Sequence, residues 1–255
     1  MMDKKAFAVF LAFCLSCLSC LVLASDLPAG IQKCSIMDEN CLRDGMNYVL
    51  KNFARKGIKE LNLVQLDPLL IKKFSLGKNP KSPVNIDLTF TNANLLGLSD
   101  AQVKKVTPFS KDLSRDITFE LMSPRITLTG PYVVDGKVLI LPIRGKGDAD
   151  IVLQQCKVHA VVKLRPVSKG PHQTFAEVVE VKFFLDPSRV TYKFTGLFNG
   201  EKAPSENFHA LVNESWQEVF NELKADISTA MGLIFKSILN RTLSKLPLEQ
   251  LFSGV

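Results

Sequence analysis

The sequence predicts an α+β fold in which a strongly twisted antiparallel sheet wraps along one long C-terminal helix. Three observations lead there. From Ser205 to about Leu243, apolar residues recur at threes and fours with no proline and a single interior glycine, Gly232. Between Ile58 and Phe194, apolar and polar residues alternate in several runs, the period of half-buried strands. No Gly/Ser-rich linker or charged run divides these parts, so residues 25–255 are expected to form one elongated unit. A helix of about 36 residues spans about 54 Å at 1.5 Å per residue, and the sheet is the surface available to cover it.

The N-terminus reads as an address. Lys4 and Lys5 precede an apolar run from Ala6 to Leu23, and Val22 and Ala24 suit cleavage after Ala24. Residues 1–24 are therefore expected to be a secretory signal peptide. The alternative is a membrane anchor, since the run is near the lower length limit for spanning, but Ser16, Ser19 and three cysteines dilute it. Secretion permits disulfides. Cys34 and Cys41 are close enough to close a small loop, which leaves Cys156 as a buried thiol on the apolar face of a strand with Val158, Ala160, Val162 and Leu164.

The elements follow in order. Asp38 is a suitable N-cap for a helix carrying Cys41, Leu42, Met46, Val49, Leu50 and Phe53, ending near Gly57. Ile58 to Phe74 reads as strand, turn at Asp67-Pro68, strand. Alternation then places Ile86, Leu88 and Phe90 on one face. Ile117, Phe119 and Leu121 form another face, and Ile126 and Leu128 resume it after Pro124. Val179, Val181, Phe183 and Leu185 make a further apolar face, and Val190, Tyr192 and Phe194 the last. Turns are expected at Asp135-Gly136, Lys169-Gly170-Pro171 and Asp186-Pro187.

Composition excludes several classes. With 46% apolar and 22% charged residues the chain is not disordered, and 14 Gly and 13 Pro exclude collagen-like or low-complexity readings. His159, His172 and His209 lack partners at metal-ligand spacing, and there is no nucleophile elbow, zinc-protease or phosphate-loop motif. No catalytic residue, metal or cofactor is expected. GKGDAD, residues 145–150, lacks the remaining ligands of a Ca²⁺ loop and reads as a solvated turn. The net charge of +7 is scattered among polar residues, which points away from nucleic acid and allows at most transient membrane contact. Asn213-Glu-Ser and Asn240-Arg-Thr are candidate glycosylation sites.

Several segments carry a resemblance. They are the Cys34/Cys41 pair, GIKELNLVQLDPLLI at 57–71, LTGPYVVDGKVLILPIRGKGDADI at 128–151, FTGLFNG at 194–200, NESWQEVFNELK at 213–224 and the tail LNRTLSKLPLEQLF. Together they resemble the insect juvenile-hormone-binding and takeout family of secreted carriers. The resemblance implies a TULIP-like super-roll, a helix wrapped by a curved sheet around an elongated apolar tunnel. It further implies a monomeric, non-enzymatic carrier of a juvenile hormone, other terpenoid or fatty-acyl lipid in haemolymph or other extracellular fluid, with links to feeding, circadian output or chemosensation. The alternative is a microbial-lipid recognition or lipid-transfer module of the related lipopolysaccharide-binding type. High-affinity hormone carriers of the family have a second disulfide, and Cys156 has no later cysteine to pair with.

If the tunnel is present, Phe90, Phe119, Phe183, Phe194, Leu211, Trp216, Phe220 and Met231 are expected to line it, with Tyr132 either supplying a hydroxyl or serving as a turn-flanking aromatic. Periodicity alone is equally served by a solid core. A guest of about 20 heavy atoms, at roughly −0.3 to −0.5 kcal/mol per atom, gains about −6 to −10 kcal/mol.

Overall fold

The computed structural model describes residues 27–170 and 173–255. The expected signal peptide lies outside the described residues, as do Pro171 and His172.

Cys34 sits in a two-residue strand, β1 (Cys34–Ser35), and its disulfide to Cys41 ties that strand to the first turn of α1 (Glu39–Phe53). Asp38 caps α1, its side chain accepting from the Cys41 N–H at 3.0 Å. Beyond α1 the expected strand from Ile58 shrinks to a single bridge with Leu63. The chain instead curls back on the helix end, where the Leu66 and Asp67 N–H groups both donate to the Ala54 carbonyl.

Asp67 then fixes the start of β2 (Leu69–Leu76) to the loop after β3 (Val84–Leu96). It is 8% exposed, and its carboxylate accepts from the Gly97 and Ser99 N–H groups and the Ser99 hydroxyl. Burial pushes its pKa up, but the Ser99 and Gly97 hydrogen bonds outweigh that and hold it below the usual 3.8. A lowered folded-state pKa means stability that is fully present above the ordinary value and lost as pH falls through the depressed one. Asp67→Asn is therefore expected to cost about 1–3 kcal/mol at neutral pH. In urea titrations that difference should shrink as pH falls below the ordinary aspartate value and the wild-type carboxyl protonates.

The sheet is antiparallel, in the order β2-β3-β5-β6-β7. Its spine is the hairpin of β5 (Ile117–Val138) and β6 (Leu141–Ser168), strands of 22 and 28 residues. Neither keeps one outer partner along its length. β5 pairs with β3 over one half and with β4 (Gln102–Val106) over the other. β6 pairs with β8 (Arg189–Phe194) around Ala149–Gln154 and with β7 (Thr174–Asp186) from Lys157 onward.

Three local expectations are corrected. Asp135-Gly136 is not a turn: both residues pair with β3 on one side and β6 on the other, and the reversal comes at Leu139-Ile140. GKGDAD is not a solvated turn but runs inside β6. Gly147 pairs with Tyr132, and a Cβ there would lie 2.4 Å from the Thr195 carbonyl oxygen, so the absent side chain lets the segment after β8 cross. Val179 does not join Val181 and Phe183 on the inner face. A β-bulge opposite Lys163 and Leu164 resets the phase, burying Val178 and leaving Val179 37% exposed.

The C-terminal segment is also two helices rather than one. α2 (Lys202–Glu214) and α3 (Trp216–Leu243) are separated at Ser215, whose φ/ψ of −90°/27° leaves the helical region. Pro204 fits in the first turn of α2, where its missing N–H bonds nothing. The break allows each helix to follow a different strand. On α2, Asn213 accepts from the Tyr192 N–H at 2.8 Å and donates to its carbonyl at 2.9 Å. His209 Nε2 accepts from the Phe194 N–H at 2.9 Å while Nδ1 faces the Ser205 carbonyl at 2.7 Å, which fixes the neutral Nδ1–H tautomer. On α3, Ser228 bonds both the N–H and the carbonyl of Phe183, and Asn240 does the same for Val178 at 2.7 and 3.1 Å. Side chains of α2 and α3 thus bond main-chain groups on the outer edges of β8 and β7, which no strand among the described residues covers. The C-terminus closes with α4 (Leu248–Leu251) and β9 (Phe252–Ser253), which pairs in parallel with β1.

Candidate ligand cavity

The inner faces of the sheet and helices do not meet as a solid core. They enclose a cavity of about 590 Å³. Its wall draws on the alternating inward residues of β2, β3, β5, β6, β7 and β8, on α1, and on one face of α2 and α3. Among the described residues the wall contains no Lys, Arg, His, Asp or Glu. Its polar side chains are Gln32, Ser123, Tyr192 and Thr242. Ser123 is fully buried and its hydroxyl faces the Gly97 and Arg125 carbonyls at 3.1 Å each, while Thr242 donates to the Ile238 carbonyl at 3.1 Å.

Of the expected lining residues, Phe90, Phe119, Phe183, Phe194, Phe220 and Met231 are in the wall; Tyr132, Leu211 and Trp216 are not. Tyr132 is 2% exposed, packs edge-on against Phe194, and donates its hydroxyl to the Thr195 carbonyl at 2.7 Å. Burial pushes that hydroxyl's pKa up to about 12. Tyr132 therefore braces the wall from behind, its polar group already matched. Leu211 lies beside the buried α2 stripe of Phe208 and Val212, and Trp216 sits half-buried at the start of α3 under the Arg189 guanidinium. The residue that the sequence reading passed over is Tyr192. It stood in an alternating run with Val190 and Phe194, but only the fold shows that its ring reaches the cavity.

The sequon asparagines have structural employment. Asn213 Nδ2 donates to both the Tyr192 and His209 carbonyls, so a sugar there replaces one of those bonds. Asn240 Nδ2 donates to the Val178 carbonyl. Cys156 is buried and outside the wall; burial raises its thiol to about 11, well away from a reactive thiolate. No group of three His, Cys, Asp or Glu side chains among the described residues could hold a metal ion, and no described helix is long and apolar enough to cross a membrane.

An apolar cavity held between a long antiparallel sheet and C-terminal helices accords with the comparisons to known proteins. The family model described as haemolymph juvenile hormone binding protein matches residues 9–253. The chain belongs to that family. It is 27% identical over 229 residues to the circadian clock-controlled protein daywake of Drosophila melanogaster, covering 88% of each chain. The Drosophila yakuba protein of the same name is 25% identical over 231 residues, with 89% and 88% covered. Among solved structures, Epiphyas postvittana Takeout 1 superimposes with a TM-score of 0.75 at 22% identity, covering 88% of this chain and all of that one. The family fold is thus the fold of this chain, an α+β arrangement whose sheet is not closed on itself.

Proposed function

We propose that this protein is a secreted, non-enzymatic carrier that holds one small lipophilic molecule in its internal cavity. The observation that supports this reading is the size and chemistry of the void. A cavity of this volume left without a guest is a penalty to the fold, because the side chains of its wall forfeit packing contacts. A wall so apolar does not hold water well, because waters need two to four polar partners each. A guest of matching apolar surface removes the penalty. The volume lies within the usual range for sites that bury most of a drug-sized ligand, and membership of a family named for hormone binding favours a terpenoid or acyl chain. Phe90, Phe119, Phe183, Phe194, Phe220 and Met231 are the contacts we assign to that chain. The names of the Drosophila relatives support a place in clock-timed physiology.

The test is lipid extraction and native mass spectrometry of protein secreted from insect cells, with displacement of the fluorescent probe N-phenylnaphthylamine by farnesol and methyl hexadecanoate. A co-purified lipid, or displacement at micromolar concentration, is the expected result. An unliganded protein that neither lipid competes for overturns the reading.

A further inference from the structure

Tyr192 is the middle inward residue of β8, between Val190 and Phe194, and it is 7% exposed. Its main chain is held from both sides, by pairing with Ile151 of β6 and by the two hydrogen bonds to Asn213. The ring is consequently placed by rigid backbone. Its hydroxyl has no hydrogen-bond partner among the described residues, whereas the Tyr132 hydroxyl and those of Ser123 and Thr242 in the wall are matched to carbonyl oxygens. Gln32, the remaining polar side chain of the wall, is exposed. Tyr192 is one of the residues that line the cavity, and an unmatched hydroxyl there is unfavourable unless a guest bonds it. Burial raises its pKa well above the ordinary value, which keeps the proton on the oxygen and the group a donor. Among the described residues no cation in the wall could neutralise an anion placed beside it.

We propose that the Tyr192 hydroxyl is the polar anchor of the cavity, donating a hydrogen bond to an uncharged oxygen of the bound lipid, such as an ester, ketone or epoxide oxygen. It thereby favours neutral oxygenated lipids over hydrocarbons of the same shape and over free carboxylates. This rests on the carrier reading above. The two are separable, because a cavity can bind apolar chains without using the hydroxyl.

Tyr192→Phe removes one oxygen and leaves both main-chain bonds to Asn213 in place. Displacement of N-phenylnaphthylamine is measured with methyl hexadecanoate, with nonadecane, which has as many heavy atoms, and with hexadecanoate at about pH 8. The wild type is expected to prefer the ester to both others. In Tyr192→Phe the ester should weaken about tenfold, a single net hydrogen bond's effect, while nonadecane is unchanged. Tyr132→Phe, which loses a bond behind the wall, should keep the wild-type ester-to-hydrocarbon ratio. An unchanged ester affinity in Tyr192→Phe, or an equal loss for ester and hydrocarbon, overturns the anchor and leaves the carrier reading standing. Failure of every lipid to displace the probe from the wild type overturns both.

Discussion

Gly232→Ala is expected to destabilise the protein by about 2–3 kcal/mol, despite alanine's advantage of nearly 1 kcal/mol in a helix. Gly232 lies on the face of α3 that rests on β7, and a Cβ there would stand 2.3 Å from the Val181 carbonyl oxygen. That oxygen is main chain, and Val181 is paired on its far side with Val162 of β6, so the strand cannot yield locally. The helix must lift instead. Lifting it stretches the bonds from Ser228 to Phe183 and from Asn240 to Val178, and it shifts Phe220 and Met231 in the cavity wall. Thermal and urea unfolding should show the loss, with weaker probe binding beside it. A melting temperature at or above that of the wild type would mean that α3 is not seated on β7 as described.

Asn213→Ala is the second large effect, expected at about 2–4 kcal/mol. It strips the partners from both the N–H and the carbonyl of Tyr192 on an edge where no strand among the described residues replaces them. Each main-chain group left unpaired in a partly buried setting costs about 1–3 kcal/mol. The same substitution deletes a glycosylation sequon, so a control is needed. Ser215→Ala removes the sequon and keeps the amide, and is expected to unfold within about 0.5 kcal/mol of the wild type. Equal losses in the two variants would assign the effect to a sugar, not to the clamp.

Much of this architecture was written in the spacing of apolar residues. The α1 cap at Asp38, the inward sets Ile86-Leu88-Phe90 and Cys156 to Leu164, and the turn at Asp186-Pro187 all stand where local rules place them. Errors arose where one residue's setting depends on a distant strand. The bulge at Val179 is invisible because alternation assumes unbroken pairing. The GKGDAD glycines look like a turn because the crossing segment that needs their bareness lies some fifty residues on. The break at Ser215 follows from two helices attending two strands, which no helical periodicity records.

The site divides in the same way. Six of the aromatic or sulfur-bearing wall residues were legible because inward facing is a matter of period. The volume they leave open was not, since spacing specifies a direction and not a packing density. Tyr132 and Tyr192 show the limit most clearly. Both point inward from strands and both are buried, yet one hydroxyl meets the Thr195 carbonyl and the other meets none among the described residues. Which tyrosine stays available was settled by chain geometry more than sixty residues away.

The helix-borne amides and hydroxyls that occupy the rims of β7 and β8 have one more result. An extended segment with vacant N–H and C=O groups invites a neighbouring molecule to add itself, and repeated addition is how fibrils grow. Here the N–H and C=O groups of Val178, Phe183 and Tyr192, and the Phe194 N–H, are already bonded from within the same chain. At these positions the hollow fold offers a neighbouring molecule no open main-chain group to extend.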